Sequence, residues 1–207
     1  MVPATDGHRR RPRDDHLLLT VEAVVITLGA TPERLTAFHA EWDRIGAPVP
    51  LTAHQGVDLR TTSGIRGCWL SHRDALRAST GPTLMLEDDA IFAPDFAIPN
   101  LDTVNDADII YLGGEHRRRP RPHRPGLVRC RYTLRTHAYI APDPQRLADA
   151  LDTRGPGGHL DATLNALGLT AYAVDPFTVG QRAGSSTVSR GSYRSRDQYW
   201  NQPNLRP

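Results

Sequence analysis

The sequence predicts an α/β fold: a single domain built on a mostly parallel central sheet. The first observation is length, because 207 residues suffice for one sizeable α/β domain and are too few for two comfortable ones. The second is that strand-like and helix-like segments alternate along the chain. An apolar run at 22–28 is followed by a helical pattern from Pro32 and by another apolar run at 48–53. This strand–helix–strand order is typical of a parallel sheet.

The first strand and the first helix have clear sequence signals. Residues 22–28 (EAVVITL) are apolar and β-branched, which favours a buried strand. Thr31 is predicted to cap the helix that follows, and Pro32 suits its first position. The helix is expected to bury one apolar stripe, formed by Leu35, Phe38, Trp42 and Ile45. Gly46 is expected to end it.

The remaining elements continue this alternation. The predicted helices are 64–78, 143–151 and a short one after Gly158. The predicted strands are 48–53, 83–86, 108–112, 135–141 and 170–174. The segment 116–125 (HRRRPRPHRP) is predicted to be an exposed loop. The polar ends 1–18 and 183–207 are interpreted as tails, which leaves 19–182 as the domain.

Composition restricts the class of protein without identifying a function. A net charge of +2 is too small to predict a nucleic-acid-binding protein by itself. All 25 basic residues are arginine, which fits either codon bias in a GC-rich genome or a use in bidentate phosphate contacts. Two cysteines, Cys68 and Cys130, do not make a disulfide framework. Without a signal-peptide pattern or a run long enough to span a membrane, we expect a cytoplasmic protein.

Three consecutive acids, Glu87, Asp88 and Asp89, follow directly after the apolar strand at 83–86. Adjacent like charges repel, so packing alone does not favour them. Ligands of open α/β sheets bind beyond the carboxyl ends of the strands, and carboxylates there suit a hard divalent cation such as Mn²⁺ or Mg²⁺. A cation on a diphosphate acts as a Lewis acid. The alternative is a solvated acidic turn.

Several segments in and around this motif resemble glycosyltransferase family 25, which includes lipopolysaccharide-type and collagen galactosyltransferases. The resemblance begins with GCWLSH at 67–72 and LMLEDDAIF at 84–92. It continues in order with IIYLG at 109–113, THAYI at 136–140, Leu160-Asp161, VDP at 174–176 and VGQ at 179–181. The similar region extends from about Ala23 to Ser189, and the segments together form a specific pattern.

The resemblance implies a GT-A-like (Rossmann-like) domain that transfers a hexose, most often galactose, from a UDP-sugar with inversion. It implies a metal ion, Mn²⁺ or Mg²⁺, with Asp89 as the first ligand and Glu87 near the metal or the ribose. His137 is a further candidate, for the metal or for a phosphate. The implied donor-binding residues are Arg34, Ser71, His72, Glu87, Asp88 and Gly113. Asp161 is the implied general base that deprotonates the acceptor hydroxyl, and a helix N-terminus favours its charged form.

These residues also have plainer interpretations. Arg34 could be an exposed helix charge, and Asp161 could only cap its helix. His72 could be a satisfied core group that holds the end of the acidic strand. The chain also departs from the family pattern, with Thr27 where an asparagine usually ends the first strand and with an unusually basic segment at 116–125.

The sequence leaves the acceptor open between a glycan, a protein and a modified nucleic acid. Arginines at 117–119, 121 and 124 could contact nucleic-acid phosphates, an anionic glycan or only water, and their segment has no aromatic residue for base stacking. A non-catalytic nucleotide-sugar- or carbohydrate-binding module is the alternative to an enzyme. A phosphotransferase or nuclease is disfavoured, since there is no Gly-Lys-Ser/Thr phosphate loop.

Overall fold

The computed structural model of the protein describes residues 20–29, 31–59, 63–185 and 192–193. Within these ranges the helices are α1 (Pro32–Arg44), α2 (Gly64–Ala78), α3 (Pro144–Arg154), α4 (Leu160–Ala166) and a 3₁₀ helix at Leu101–Val104. The strands in the same ranges are β1 (Glu22–Thr27), β2 (Leu51–Gln55), β3 (Thr83–Glu87), β4 (Ala90–Phe92), β5 (Ile109–Tyr111), β6 (Glu115–His116), β7 (Arg121–Arg124), β8 (Leu127–Arg129), β9 (Thr133–Leu134), β10 (Ala138–Ala141), β11 (Ala171–Val174), β12 (Val179–Gln181), β13 (Gly184–Ser185) and β14 (Ser192–Tyr193).

Eight of the described strands form one sheet in the order β2–β1–β3–β10–β5–β11–β8–β7. The pairs β1–β2, β1–β3 and β5–β11 are parallel, whereas β10 and β8 each run antiparallel to both neighbours. Six of these eight described strands therefore point in one direction. The predicted α/β fold with a mostly parallel central sheet is confirmed.

The centre of the sheet is apolar on both faces. In β1, residues Ala23 to Ile26 are all buried, and in β3 the side chains of Leu84, Met85 and Leu86 have no exposed surface. Continuous apolar runs of this kind are expected for strands that are covered on both faces. Between their first and last residues both strands are apolar, and their polar last residues, Thr27 and Glu87, lie at the carboxyl edge of the sheet.

An aromatic cluster holds α1 against the sheet. Phe38 and Trp42 are buried, with ring centroids 6.1 and 5.5 Å from the ring of Phe92 in β4. The helix begins at Pro32 and Thr31 is its N-cap residue, as predicted, but the Thr31 side chain makes no capping hydrogen bond. The Thr31 hydroxyl instead donates to the carbonyl of Leu28 at 3.1 Å. Because Pro32 has no N–H, the first turn has one donor fewer to satisfy.

Helix α2 has the predicted bounds and presents a buried face to the sheet. The fully buried side chains of that face are Trp69, His72 and Leu76. Cys68 is only partly buried. Ser63 caps the helix by accepting a hydrogen bond from the third backbone N–H after it, at 3.3 Å. A Cβ at Gly67 would lie 2.6 Å from the carbonyl oxygen of Val57. Because glycine has no side chain, the loop after β2 can lie directly against the helix.

The basic segment 116–125 is largely exposed, as predicted, with His116 half-buried and Pro120 buried, but it is not only a loop. Arg121–Arg124 forms β7, the edge strand, which pairs with β8. The segment has no apolar alternation and contains several prolines, so its strand conformation depends on pairing with β8 and not on burial of its side chains.

Two predicted strands begin later than expected. The strand predicted at 135–141 starts at Ala138, because Arg135 has a φ angle of 76°, which is outside the β region. The strand predicted at 48–53 starts at Leu51, directly after Pro50. A proline has no N–H to donate to a ladder, which favours a strand start after it.

The predicted tail 1–18 lies outside the described residues, and so does most of 183–207. Within the latter, β13 pairs antiparallel with β14. The domain limits at 19 and 182 stay predictions. No helix among the described residues is long and apolar enough to cross a membrane.

Candidate functional site

The acidic motif lies at the carboxyl edge of the sheet, where β1 and β3 end. Glu87 is the last residue of β3, and Asp88 and Asp89 form the turn into β4. β12 pairs with β4 and places Gln181 opposite Ala90 on the other side of this turn. The predicted location beyond the strand ends is the one in which α/β sheets bind ligands.

A recess opens beside the acids. Together with its mouth, which is open to solvent, it spans about 510 Å³. Its lining includes the apolar side chains of Ile26, Leu28 and Val57 and the charged side chains of Arg34, Glu87 and Asp88. The charged part of the lining has two carboxylates and one guanidinium, so it suits a cation or an anionic group that carries a bound cation, while the apolar part suits a ring.

Arg34 reaches from the first turn of α1 to the acidic turn. Its Nη2 lies 2.5 Å from Oδ1 of Asp88 and 3.0 Å from Oδ2 of Asp89. Thr27, at the end of β1, donates to the other oxygen of Asp88 at 3.2 Å. Burial raises the pKa of Asp88, and the Arg34 charge opposes this effect. Arg34 is therefore not a simple exposed helix charge, since it partly neutralises two carboxylates.

Asp89 is held from the side of β12. Its Oδ2 accepts a hydrogen bond from the Gln181 amide at 3.0 Å, and its backbone carbonyl accepts one from the N–H of Arg182 at 2.7 Å. Its Oδ1 is buried and has no hydrogen-bond partner in the described part of the chain. Burial, followed by the charge of Glu87, raises the pKa of Asp89 to about 7. A divalent cation would favour its ionised form.

Glu87 faces a histidine on α2. Its Oε1 lies 3.3 Å from Nε2 of His72 and accepts a hydrogen bond from the Thr136 hydroxyl at 3.3 Å. On the other side of the ring, Nδ1 of His72 lies 3.1 Å from the Tyr139 hydroxyl. Burial alone would raise the pKa of Glu87. The hydrogen bond from His72 and the charge of His72 are the largest of the effects that lower this pKa, and the net shift is downward.

His137 lies against Gly113 and β12. Its Nε2 donates to the carbonyl of Val179 at 3.3 Å, so in a neutral ring Nδ1 carries a lone pair. Burial lowers the pKa of His137, which favours that neutral ring. Nδ1 is buried and has no partner among the described residues. A Cβ at position 113 would lie 2.3 Å from Nε2 and 2.3 Å from the Val179 carbonyl oxygen.

Two of the three predicted metal ligands therefore carry a buried acceptor atom that no described residue satisfies: Oδ1 of Asp89 and Nδ1 of His137. Buried polar atoms are almost always partnered, so such atoms fit a bound cation. A different group of side chains has all its ligand atoms within 4.8 Å of one another. It consists of Cys68, His72 and Glu87, whereas the predicted ligands Asp89, Glu87 and His137 do not form such a group among the described residues.

Asp161 is the second residue of α4. Its Oδ2 accepts from the backbone N–H of Arg135 at 3.1 Å, and its Oδ1 accepts from the next backbone N–H at 2.7 Å. The N-cap position belongs to His159, so Asp161 is not the cap residue itself. Arg135 also donates to Gln181 at 3.1 Å, and Gln181 contacts Asp89. Asp161 is thus connected to the acidic turn through two intervening residues.

Ser71 lines the recess, but its hydroxyl already has two partners. It donates to the carbonyl of Gly67 at 2.7 Å and accepts from the N–H of Val57 at 2.8 Å. The structure therefore brings five predicted donor residues to the recess, namely Arg34, Ser71, His72, Glu87 and Asp88, although the Ser71 hydroxyl is used to hold the loop after β2. Gly113 lies with His137 behind the acidic turn.

Sequence reasoning assigns no role to several residues that hold this site together. Gln181 and Tyr139 lie inside segments that resemble family 25, so the resemblance could have pointed to them. Arg135 directly precedes such a segment, and nothing local marks its positive φ angle, which is rare for a residue other than glycine. Cys68 lies in the GCWLSH segment and lines the recess. Burial, and then the charge of Glu87, raises the pKa of its thiol.

No protein-family model matches this chain, and no curated protein matches it. Among solved structures, the chain is similar to a Drosophila β-1,4-galactosyltransferase 7 mutant in complex with manganese, UDP-Gal and xylobiose. The identity is 9% over 91% of this chain and 76% of that chain, with a TM-score of 0.46.

Two further similar structures are a UDP-glucose pyrophosphorylase complexed with UDP-glucose and the mannose-1-phosphate geranyltransferase of Thermus thermophilus. The first is 10% identical over 75% of this chain and 72% of that chain, with a TM-score of 0.42. The second is 13% identical over 75% and 74%, with a TM-score of 0.39. At these identities and TM-scores the similarities do not identify the function of this chain.

Proposed function

We propose that this protein is a metal-dependent glycosyltransferase with a GT-A-like domain of the family 25 type. It transfers a hexose, with galactose as the first candidate, from a UDP-sugar to an acceptor hydroxyl, with inversion at the anomeric carbon. One observation carries the proposal. At the carboxyl edge of the sheet, Asp88 and Asp89 share Arg34, yet Asp89 retains a buried oxygen without a partner among the described residues.

The recess is the proposed donor site. Its apolar wall at Ile26 and Leu28 suits the nucleoside, and the acidic turn suits a metal-bound diphosphate. The guanidinium of Arg34 matches phosphate geometry and would exchange a carboxylate for a phosphate partner. Asp89, Glu87 and His137 would hold the Mn²⁺ or Mg²⁺ ion, which supplies Lewis-acid stabilisation of the departing diphosphate.

Asp161 is the proposed general base. Its carboxylate accepts the proton of the acceptor hydroxyl while that oxygen bonds to the anomeric carbon, and the bond from this carbon to the UDP oxygen breaks. The products are the glycosylated acceptor, UDP and a proton, which Asp161 releases to solvent. The position of Asp161 at the start of α4, connected to Asp89 through Arg135 and Gln181, supports this role.

Nucleotide release from a panel of sugar nucleotides tests the proposal, with Mn²⁺ and with a chelator. We expect wild type to release nucleotide from one donor in the presence of metal. The variant Asp89→Asn is expected to lose at least about tenfold of this release, because it removes a metal ligand of the site. Asp95→Asn, an exposed aspartate outside the site, is the matched control and should retain full release.

The same assay separates the proposed enzyme from the alternatives. Release that neither the chelator nor Asp89→Asn reduces would contradict the metal-dependent mechanism. Donor binding by calorimetry without release from any donor would identify a non-catalytic nucleotide-sugar-binding module. Neither binding nor release would reject both assignments.

A second candidate is a glycosyltransferase that acts on nucleic acid, and the segment 117–131, here named the basic hairpin, favours it. Arg117 pairs with Glu115 at 3.2 Å. Six other arginines of the hairpin have no ion-pair partner among the described residues: Arg118, Arg119, Arg121, Arg124, Arg129 and Arg131. By contrast, Arg73 and Arg77 on α2 both pair with Asp152 on α3.

The strand register increases the repulsion within the basic hairpin. Arg121 lies directly opposite Arg129 in the β7–β8 ladder, and both are exposed. Like charges in such a pair destabilise a hairpin, so a bound polyanion would stabilise it. β7 is five strand positions from β3, roughly 24 Å at the usual spacing. Only an extended polymer reaches both, and closely spaced phosphates suit neighbouring arginines.

The double variant Arg118→Gln/Arg121→Gln tests this candidate. We expect it to weaken binding to a labelled DNA duplex and to reduce the slope of log K against log salt by about 2, one for each lost phosphate contact. Fluorescence anisotropy over a salt series measures both. Arg146→Gln/Arg154→Gln on α3 changes the net charge equally and should leave the slope unchanged.

Three outcomes would contradict the nucleic-acid candidate. The first is an absence of binding at low salt, and the second is an equal loss of binding in both double variants. The third is selective binding of a sulfated polysaccharide instead of DNA, which would make an anionic glycan the acceptor class.

A further inference from the structure

A compact cluster of soft and borderline ligands lies at the inner end of the recess. Cys68 and His72 are four residues apart on α2, and this spacing places them on one face of the helix. Glu87 approaches the same point from the end of β3. One potential ligand atom from each side chain lies within 4.8 Å of the other two. Nothing in the proposed transfer reaction uses the thiol.

The distance between His72 and Glu87 suits a shared cation better than a direct ion pair. Nε2 and Oε1 are 3.3 Å apart, whereas charge-assisted N–H···O bonds are usually about 2.7–2.9 Å. Two ligands of a tetrahedral zinc ion, at about 2.0–2.1 Å for nitrogen and 2.0–2.2 Å for oxygen, are separated by roughly 3.4 Å. The observed distance is close to that separation.

The surroundings of His72 fit a zinc ligand. Its Nδ1 lies 3.1 Å from the Tyr139 hydroxyl, and zinc-bound histidines usually donate their second ring N–H to such an oxygen. With the ring proton on Nδ1, Nε2 would exchange its hydrogen bond to Glu87 for a bond to the ion. The ring is buried, and Tyr139 stacks on it at 5.8 Å, so its orientation is fixed before any ion binds.

We propose that Cys68, His72 and Glu87 form a Zn²⁺ site with one coordination position open to the recess. All three side chains line that recess, which leaves room for a water molecule or a ligand group as the fourth partner. A thiolate and an imidazole select zinc over the hard cations Mn²⁺ and Mg²⁺. The site shares His72, Glu87 and the recess with the proposed donor site, but its test by metal binding does not depend on glycosyl transfer.

Titration of the full chain with Co²⁺ tests this site directly, because a thiolate bound to tetrahedral Co²⁺ gives a charge-transfer band and intense d–d bands. We expect both features in wild type and in Cys130→Ser, with saturation at one ion per chain. Cys68→Ser should lose the charge-transfer band. Cys130 is the other partly buried free cysteine, so its replacement is a matched control for loss of a thiol.

Thermal unfolding provides a second measurement that does not depend on activity. A ligand that binds only the folded state raises the unfolding midpoint, so Zn²⁺ should raise it for wild type and Cys130→Ser but not for Cys68→Ser. If Cys68→Ser is unfolded without metal, Cys68→Ala replaces it. The proposal is overturned if wild type shows no thiolate band, or if the band survives loss of Cys68 and disappears with loss of Cys130.

Discussion

Replacement of Asp161 by asparagine is expected to reduce glycosyl transfer by about 10²–10⁴-fold, the usual contribution of a general base. An amide cannot take the proton of the acceptor hydroxyl at neutral pH. The donor recess lies with Arg34, Glu87 and Asp88, and Asp161 is not part of its lining. Donor binding and the slow metal-dependent release of nucleotide to water should therefore persist in Asp161→Asn. Transfer rate, donor affinity and release are measured side by side.

The control for Asp161→Asn must reproduce its structural effect without its chemistry. Asp161 accepts two backbone hydrogen bonds at the start of α4, and an asparagine oxygen can also accept them, so the replacement is expected to leave stability nearly unchanged. Asp143→Asn is the matched variant, because Asp143 caps α3 by accepting from the N–H of Arg146 at 2.9 Å. It should likewise keep nearly the same stability and retain full transfer.

A purely structural role for Asp161 predicts a different pattern. Transfer, donor binding and the unfolding midpoint would then decrease together in Asp161→Asn. Full transfer activity in a folded Asp161→Asn protein would remove Asp161 from the mechanism and would direct the search to another carboxylate near Arg135.

The variant Gly113→Ala is expected to lower the free energy of unfolding by about 3 kcal/mol, the upper part of the range for an overpacked core. The added Cβ would lie 2.3 Å from both the His137 ring and the backbone carbonyl of Val179. The carbonyl belongs to β12, which is paired with β4, so it cannot move alone. For a chain of this size the loss corresponds to roughly 6–12 °C in the unfolding midpoint.

Gly81→Ala provides the comparison for this prediction. Gly81 lies in the turn before β3, where an added Cβ would meet nothing within 4 Å and the φ angle is outside the left-handed region. Its replacement should change stability by less than about 1 kcal/mol and can be slightly favourable. Equal unfolding midpoints for Gly113→Ala and wild type would contradict the close approach of Gly113, His137 and β12.

Elements with strong apolar patterns could be predicted from the sequence. β1 and β3 are buried on both faces and therefore read as continuous apolar runs, and α1 shows its core side as a stripe at helical spacing. The place of the acidic turn followed from the same pattern, since parallel strands end at one edge of the sheet. The position of the acidic turn could thus be predicted, because it depends on the periodicity of the neighbouring strands.

Contacts between distant segments could not be predicted in this way. Gln181 contacts Asp89 across 92 positions, and Arg135 contacts Gln181 across 46. No periodic pattern records such a pairing. The strand β7 was missed for a related reason, because its four exposed residues provide no apolar signal and its conformation comes from the ladder with β8. The cluster of Cys68, His72 and Glu87 likewise required a helix and a strand to meet.

The composition of β7 also affects how this chain behaves toward copies of itself. An edge strand presents unpaired N–H and C=O groups, which can join the sheet of a second molecule and lead to aggregation. In β7, Pro122 offers no N–H, and the arginines on either side would repel the same edge of another copy. The basic hairpin thus disfavours pairing of this sheet edge with a second copy while leaving it open to an oppositely charged polymer.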